Sequence, residues 1–138
     1  MKTKLISLIF VCAAFFSSNV LARASVPVIN IENALITTGS SKTPTLAQVK
    51  QSIVQAAAVQ NWQISETADG KLNATLVVRG KHHMMIDIPY TTTHYSLVYK
   101  SSVNLNYDVQ EGTPVIHPNY NKWVQTFSNS IRLELSKL

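Results

Sequence analysis

The stretch Lys71 to Pro89, KLNATLVVRGKHHMMIDIP, constrains the fold more than any other part of the chain. On both sides of Arg79-Gly80-Lys81, apolar residues recur at every second position, the spacing of a strand with one buried face. Leu72, Ala74, Leu76 and Val78 share a face before the break; Met84, Ile86 and Ile88 share one after it. A slip of one residue moves a strand's whole apolar set to the other face, so the loop length can be deduced. A two-residue turn at Gly80-Lys81 pairs Val78 with His83 and Leu76 with Met85, and puts Asp87 inside with no partner. A three-residue loop pairs Val78 with His82, Leu76 with Met84, Ala74 with Ile86 and Leu72 with Ile88. It buries apolar residues against apolar ones and is preferred.

That register divides the cluster KHHMMIDI, which at first sight resembles a copper or zinc site. Met84 becomes core, His82 a residue at the margin of the turn, and His83, Met85 and Asp87 occupy the outer face. His83 and Asp87 share that face but stand roughly 13 Å apart at about 3.3 Å per residue, too far to ligate one ion. A metal centre therefore needs His94 or His117 beside His83. The set His83, His94 and His117 is the candidate metal site.

The flanking segments give the other elements. Val26-Pro27-Val28-Ile29-Asn30-Ile31 is apolar and β-branched, an early strand at a sheet edge because Pro27 cannot donate to a ladder. Pro44, then Thr45 and Gln48 at capping-box spacing, then Leu46, Val49, Ile53, Ala56 and Ala57, mark a helix that Asn61 closes. Trp62 to Ser65 alternates, and Asp69-Gly70 supplies a hairpin turn. A third long strand runs from Tyr95 to Tyr107, with Tyr95, Leu97, Tyr99, Val103, Leu105 and Tyr107 on one parity and a bend or bulge near Ser101-Ser102. Tyr120, Val124, Phe127, Ile131, Leu135 and Leu138 form the stripe of a final helix. The expected fold is α+β, in the order β-α-β-β-β-β-α. An antiparallel sheet of four to five strands carries two helices packed on one face.

The first 24 residues read as a signal peptide. MKTK is a basic start, Leu5 to Phe16 is an apolar run too short to cross a bilayer, and Ala22-Arg23-Ala24 offers cleavage near Ala22 or Ala24. Residues 25–138 form one domain, exported to the periplasm or secreted, with no transmembrane anchor. Lys2, Lys4 and Arg23 leave with the leader, so nine basic side chains face seven acidic ones and the net charge falls from +5 to +2. A dense basic patch for nucleic acid is thereby excluded. Cys12 leaves as well, which removes disulfides, thiolate metal sites and thiol catalysis.

Between Asn104 and Trp123 the sequence NLNYDVQEGTPVIHPNYNKW gathers amides and aromatics around a Gly-Thr-Pro loop. Part of this serves chain entry into the last helix: Asn119 or Asn121 can cap exposed amides, and Trp123 with Tyr120 can wedge helix against sheet. The same residues can line a groove. Asn106, Tyr107, His117, Asn119 and Tyr120 are the candidate ligand contacts. No catalytic triad, P-loop or dinucleotide fingerprint occurs, so no catalytic residue is assigned and no cofactor is implied.

The helix TPTLAQVKQSI, the strand pair LVVRGKHHMMIDIPY, the strand YSLVYKSSVNLNY and above all IHPNYNKWVQTF resemble a group of small uncharacterised exported proteins and lipoproteins of Gram-negative bacteria. The resemblance covers nearly the whole of the mature chain. It implies an envelope location and one domain, and it carries no activity or catalytic residue. Many of those proteins have a lipobox cysteine; this sequence does not, since Cys12 lies inside the apolar run. The expected function is a non-enzymatic binding module whose partner is a peptide, a glycan or another envelope protein, with metal binding through surface histidines as the alternative.

Overall fold

The structure, a computed structural model, describes residues 24–138; the expected leader lies outside them except for Ala24. In chain order the elements are β1 (Val26–Pro27), β2 (Ile31–Leu35), α1 (Leu46–Val59), β3 (Gln63–Glu66), β4 (Leu72–Val78) and β5 (His82–Ile88). They continue with β6 (His94–Val103), β7 (Asp108–Gln110), β8 (Thr113–Ile116) and α2 (Pro118–Leu135). Five strands form one antiparallel sheet in the order β2-β6-β5-β4-β3, and β1-β8-β7 form a second. The fold is α+β as expected.

The hairpin of β4 and β5 adopts the three-residue loop. Leu72 pairs with Ile88, Ala74 with Ile86, Leu76 with Met84 and Val78 with His82. Leu72, Ala74, Leu76, Met84, Ile86 and Ile88 are buried together with Tyr95 and Leu97 of β6 and with the stripes of both helices, Val49, Ile53, Ala56 and Ala57 from α1 and Tyr120, Val124, Phe127, Ile131 and Leu135 from α2, and Val78 packs half-buried at their edge. Each fully buried aliphatic side chain contributes roughly 1.5–3 kcal/mol, so this one cluster supplies most of the driving force. Trp62 stacks on Phe127 with centroids 5.1 Å apart. The Tyr95 hydroxyl bonds Ser128 Oγ at 2.8 Å, fixing α2 along β6.

Both helix starts follow from their residues. The Thr45 hydroxyl accepts from the Gln48 amide and the Gln48 side chain accepts from the Thr45 amide, a complete capping box. At α2 the cap is His117, with Pro118 as the first helical residue, so neither Asn119 nor Asn121 caps it. Asn121 instead grips the N-terminal segment, its Oδ1 accepting from the Ile29 amide at 3.0 Å and its Nδ2 donating to the Pro27 carbonyl at 2.9 Å.

Three expectations change. The single early strand is two short ones in different sheets, β1 against β8 and β2 against β6, and Ile29 between them is 52 % exposed. The long third strand stops at Val103, where Asn104 turns into the left-handed region, and Lys100 is an extra residue in its ladder: Met85 pairs with Ser101 while Ile86 pairs with Tyr99. That bulge reverses the parity, so Val103 is 56 % exposed and Ser102, not Val103, pairs with Met84. The Gly-Thr-Pro loop is part of a second sheet, a tight hairpin whose turn holds Glu111 and Gly112 at φ +50 and +80.

Candidate functional site

The turn between β4 and β5 faces the start of α2 across a segment that leaves the end of β6. Asn104, in the left-handed region at φ +58, begins that segment. Its side-chain amide donates to the Lys81 carbonyl at 2.8 Å and its own carbonyl accepts from His82 Nδ1 at 2.8 Å. The next residue, Leu105, accepts the His117 amide at 2.8 Å. Two consecutive residues thus hold the hairpin turn on one side and the helix cap on the other. Asparagine is among the non-glycine residues most tolerant of this backbone conformation, which accounts locally for Asn104 and likewise for Asn106 at φ +52.

Between the two lies a cavity of about 270 Å³. Val78, Leu105 and Trp123 supply its apolar lining; Arg79, His82, His117 and Asn119 supply the polar one. Among the described residues no carboxylate lines it. The N-terminus of α2 adds the positive end of an 18-residue helix, so the local field favours negative charge. Among the described residues Arg79 has no ion-pair partner, the four pairs being Lys50 with Glu66, Lys71 with Asp69, Lys100 with Asp87 and Lys137 with Glu134. Arg79 also carries φ +55, followed by Gly80 at +63. An arginine in that region is uncommon and costly, and such strain clusters at functional positions.

The hydrogen bonds fix both imidazoles. A carbonyl can only accept, so His82 Nδ1 carries a proton and, in the neutral ring, Nε2 is left as an acceptor. The Asn119 amide can only donate, at 3.2 Å, so His117 Nδ1 presents a lone pair and Nε2 carries the proton. In their neutral forms the two rings lining one cavity are therefore opposite tautomers, one offering an acceptor and the other a donor.

A larger depression of about 500 Å³ lies by the outer face of the five-stranded sheet, with Asn73, Asp87 and Lys100 in its wall. Its charges are already matched: Lys100 Nζ lies 3.1 Å from Asp87 and 3.2 Å from Asn73, and Lys71 lies 3.0 Å from Asp69. Asp69 is held down to about 2 by the Thr67 hydroxyl and by Lys71. With its charges paired internally, that surface presents less to a ligand than the smaller cavity.

Of the expected ligand contacts, His117 and Asn119 line the cavity and Asn106, Tyr107 and Tyr120 do not. Tyr107 stacks on Tyr99 with centroids 4.6 Å apart, and Tyr99 meets Tyr120 edge-on at 5.6 Å. Tyr120 is fully buried and cannot touch a ligand. Its hydroxyl has no hydrogen-bond partner among the described residues, and burial pushes its ionisation well above the ordinary tyrosine range. The sequence alone does not single out Arg79, places His82 at the margin of the turn without a role, and leaves Trp123 in the Asn104 to Trp123 stretch without naming it a contact. An arginine directly before a turn glycine was the available signal for the first.

The metal set does not assemble. His83 pairs with Val103 at one end of β6 while His94 begins that strand, a separation of roughly 30 Å at about 3.3 Å per residue. His94 is engaged locally with the Thr93 hydroxyl, and His117 belongs to the cavity. Among the described residues no group of three His, Cys, Asp or Glu side chains could hold a metal ion. No described helix is long and apolar enough to cross a membrane. Comparisons with protein-family models, with curated proteins and with solved structures find no match.

Proposed function

We propose that this protein is a non-enzymatic binding module, exported to the cell envelope, that uses the cavity between the β4–β5 turn and α2 to take an acidic group of a peptide, a glycan or another envelope protein. The observation that carries the reading is the lining itself. Among the described residues it combines a guanidinium without an ion-pair partner, two imidazoles and an amide with an apolar wall, and no carboxylate. Catalytic histidines are typically oriented by a carboxylate. Here the inner nitrogen of each ring is spent on the backbone, which suits positioning of a ligand. The cavity's size suits one residue or one sugar at the end of a polymer, since sites for larger ligands run from about 300 to 1,000 Å³.

Equilibrium binding of short acidic peptides and acidic oligosaccharides, each beside its neutral counterpart, tests this at two salt concentrations. The expected result is preference for the acidic member, weakened by salt and abolished by Arg79→Glu. Equal binding of acidic and neutral ligands, or none at millimolar concentration, would remove the reading.

A further inference from the structure

We infer that the group recognised is the free C-terminus of a peptide ending in a small apolar residue. This inference rests on the cavity being the binding site, and it adds the chemistry of the occupant.

The opposed tautomers set what can be bound. His117 Nε2–H and Arg79 both donate, so the ligand must present an acceptor to them; His82 Nε2 accepts, so the ligand must present a donor beside that acceptor. A bare carboxylate supplies only the first half. A terminal carboxylate preceded by a peptide N–H supplies both, the carboxylate for Arg79 and His117 and the N–H for His82. Val78, Leu105 and Trp123 then bound the space left for the last side chain, and about 270 Å³ limits it to a small one. An acidic sugar also carries a carboxylate beside hydroxyl donors. It would present several further hydroxyls, and the remaining wall here is two aliphatic side chains and an indole with a single amide, Asn119.

Four small probes separate the possibilities when titrated into the protein and followed by chemical-shift changes at Arg79, His82 and His117. They are N-acetylvaline, N-acetylvalinamide, isovalerate and galacturonate. N-acetylvaline is expected to bind at least tenfold more tightly than its amide, which lacks the carboxylate, and than isovalerate, which lacks the N–H. Two substitutions assign the halves. An asparagine side chain reproduces the inner nitrogen of each ring: His82→Asn keeps a donor for the Asn104 carbonyl, and His117→Asn keeps an acceptor that caps α2. Each removes only the outer nitrogen. His117→Asn should weaken N-acetylvaline and isovalerate alike, whereas His82→Asn should weaken N-acetylvaline about tenfold and leave isovalerate unchanged.

Equal affinity for acid and amide overturns the inference, as does equal affinity for N-acetylvaline and isovalerate, or tighter binding of galacturonate. In the last two cases the cavity still takes an acidic group and the proposed function stands; in the first the proposed function falls as well, because it requires preference for the acidic ligand. If none of the four probes shifts any cavity resonance, the proposed function falls with it.

Discussion

Arg79 holds a left-handed backbone conformation in a turn, and among the described residues its guanidinium makes no ion pair. Both facts bear on Arg79→Asn. An ordinary L-residue pays roughly 1–2 kcal/mol in this region, and asparagine pays less because its short polar side chain bonds locally. Arg79 is exposed, so little packing is lost with it. The net expectation is a gain of about 1 kcal/mol. With a urea slope of roughly 2 kcal/mol per molar for a domain of this size, the midpoint should rise by about 0.5 M with the slope unchanged. The melting temperature should rise by about 4 °C. Binding should move the other way. A hydrogen bond to a charged group is worth about 1.5–3 kcal/mol, so the affinity for N-acetylvaline should drop at least tenfold. Urea titration of both proteins, with and without N-acetylvaline, reads the two effects separately. A lower midpoint would show that Arg79 supports the turn, and the argument from strain to function would then fail.

Tyr120→Phe removes a buried hydroxyl that has no partner among the described residues, so it should leave stability unchanged or raise it by about 1 kcal/mol; a measurable loss in urea titration would mean the hydroxyl is bonded after all. Gly39→Ala would place a Cβ 2.5 Å from the Ser136 carbonyl oxygen at the end of α2, and a cost of about 1–3 kcal/mol in thermal melts is expected; an unchanged melting temperature would show that the C-terminus yields freely. Burial raises the phenols of Tyr95, Tyr99 and Tyr120 above the ordinary value of 10.0. Their contribution to stability is therefore complete below pH 10 and is lost as pH rises above it. Absorbance at about 295 nm should show these phenolates appearing together with loss of circular dichroism; full ionisation near pH 10 with the fold intact would refute the assignment.

What the sequence disclosed and what it hid divide along a physical line. The hairpin register was readable because alternation and loop length act on neighbouring residues, and an error in either would have buried Asp87. The first helix was readable because Thr45 and Gln48 cap each other within four residues. Two other features depended on distant partners. The run Val26 to Ile31 looks like one strand, yet its ends pair with β8 and β6, and no local signal says that the chain changes sheets at Ile29. The bulge at Lys100 lies close to the bend expected near Ser101-Ser102, but an extra residue reverses the alternation beyond it, so Val103 faces out although the sequence parity puts it with Tyr99. The site is the extreme case. Arg79 and His82 meet His117, Asn119 and Trp123 only because Asn104 and Leu105 hold both groups, and no periodicity records such a meeting. Of the adjacent histidines it is His82, at the margin of the turn, that lines the cavity, and not His83 on the outer face.

Asn104 also sits where the chain passes from the five-stranded sheet to the three-stranded one, and the cavity straddles that seam. One wall belongs to the β4–β5 turn, the other to the helix that Asn121 ties to β1. An occupant bridging Arg79 and His117 would thus act as a rivet through two plates. At a hundred times its dissociation constant it would add about 2.7 kcal/mol to the folded state. Slowed amide exchange should then reach β1 and β8, strands that never touch the ligand, so the N-terminal segment would report whether the cavity is filled.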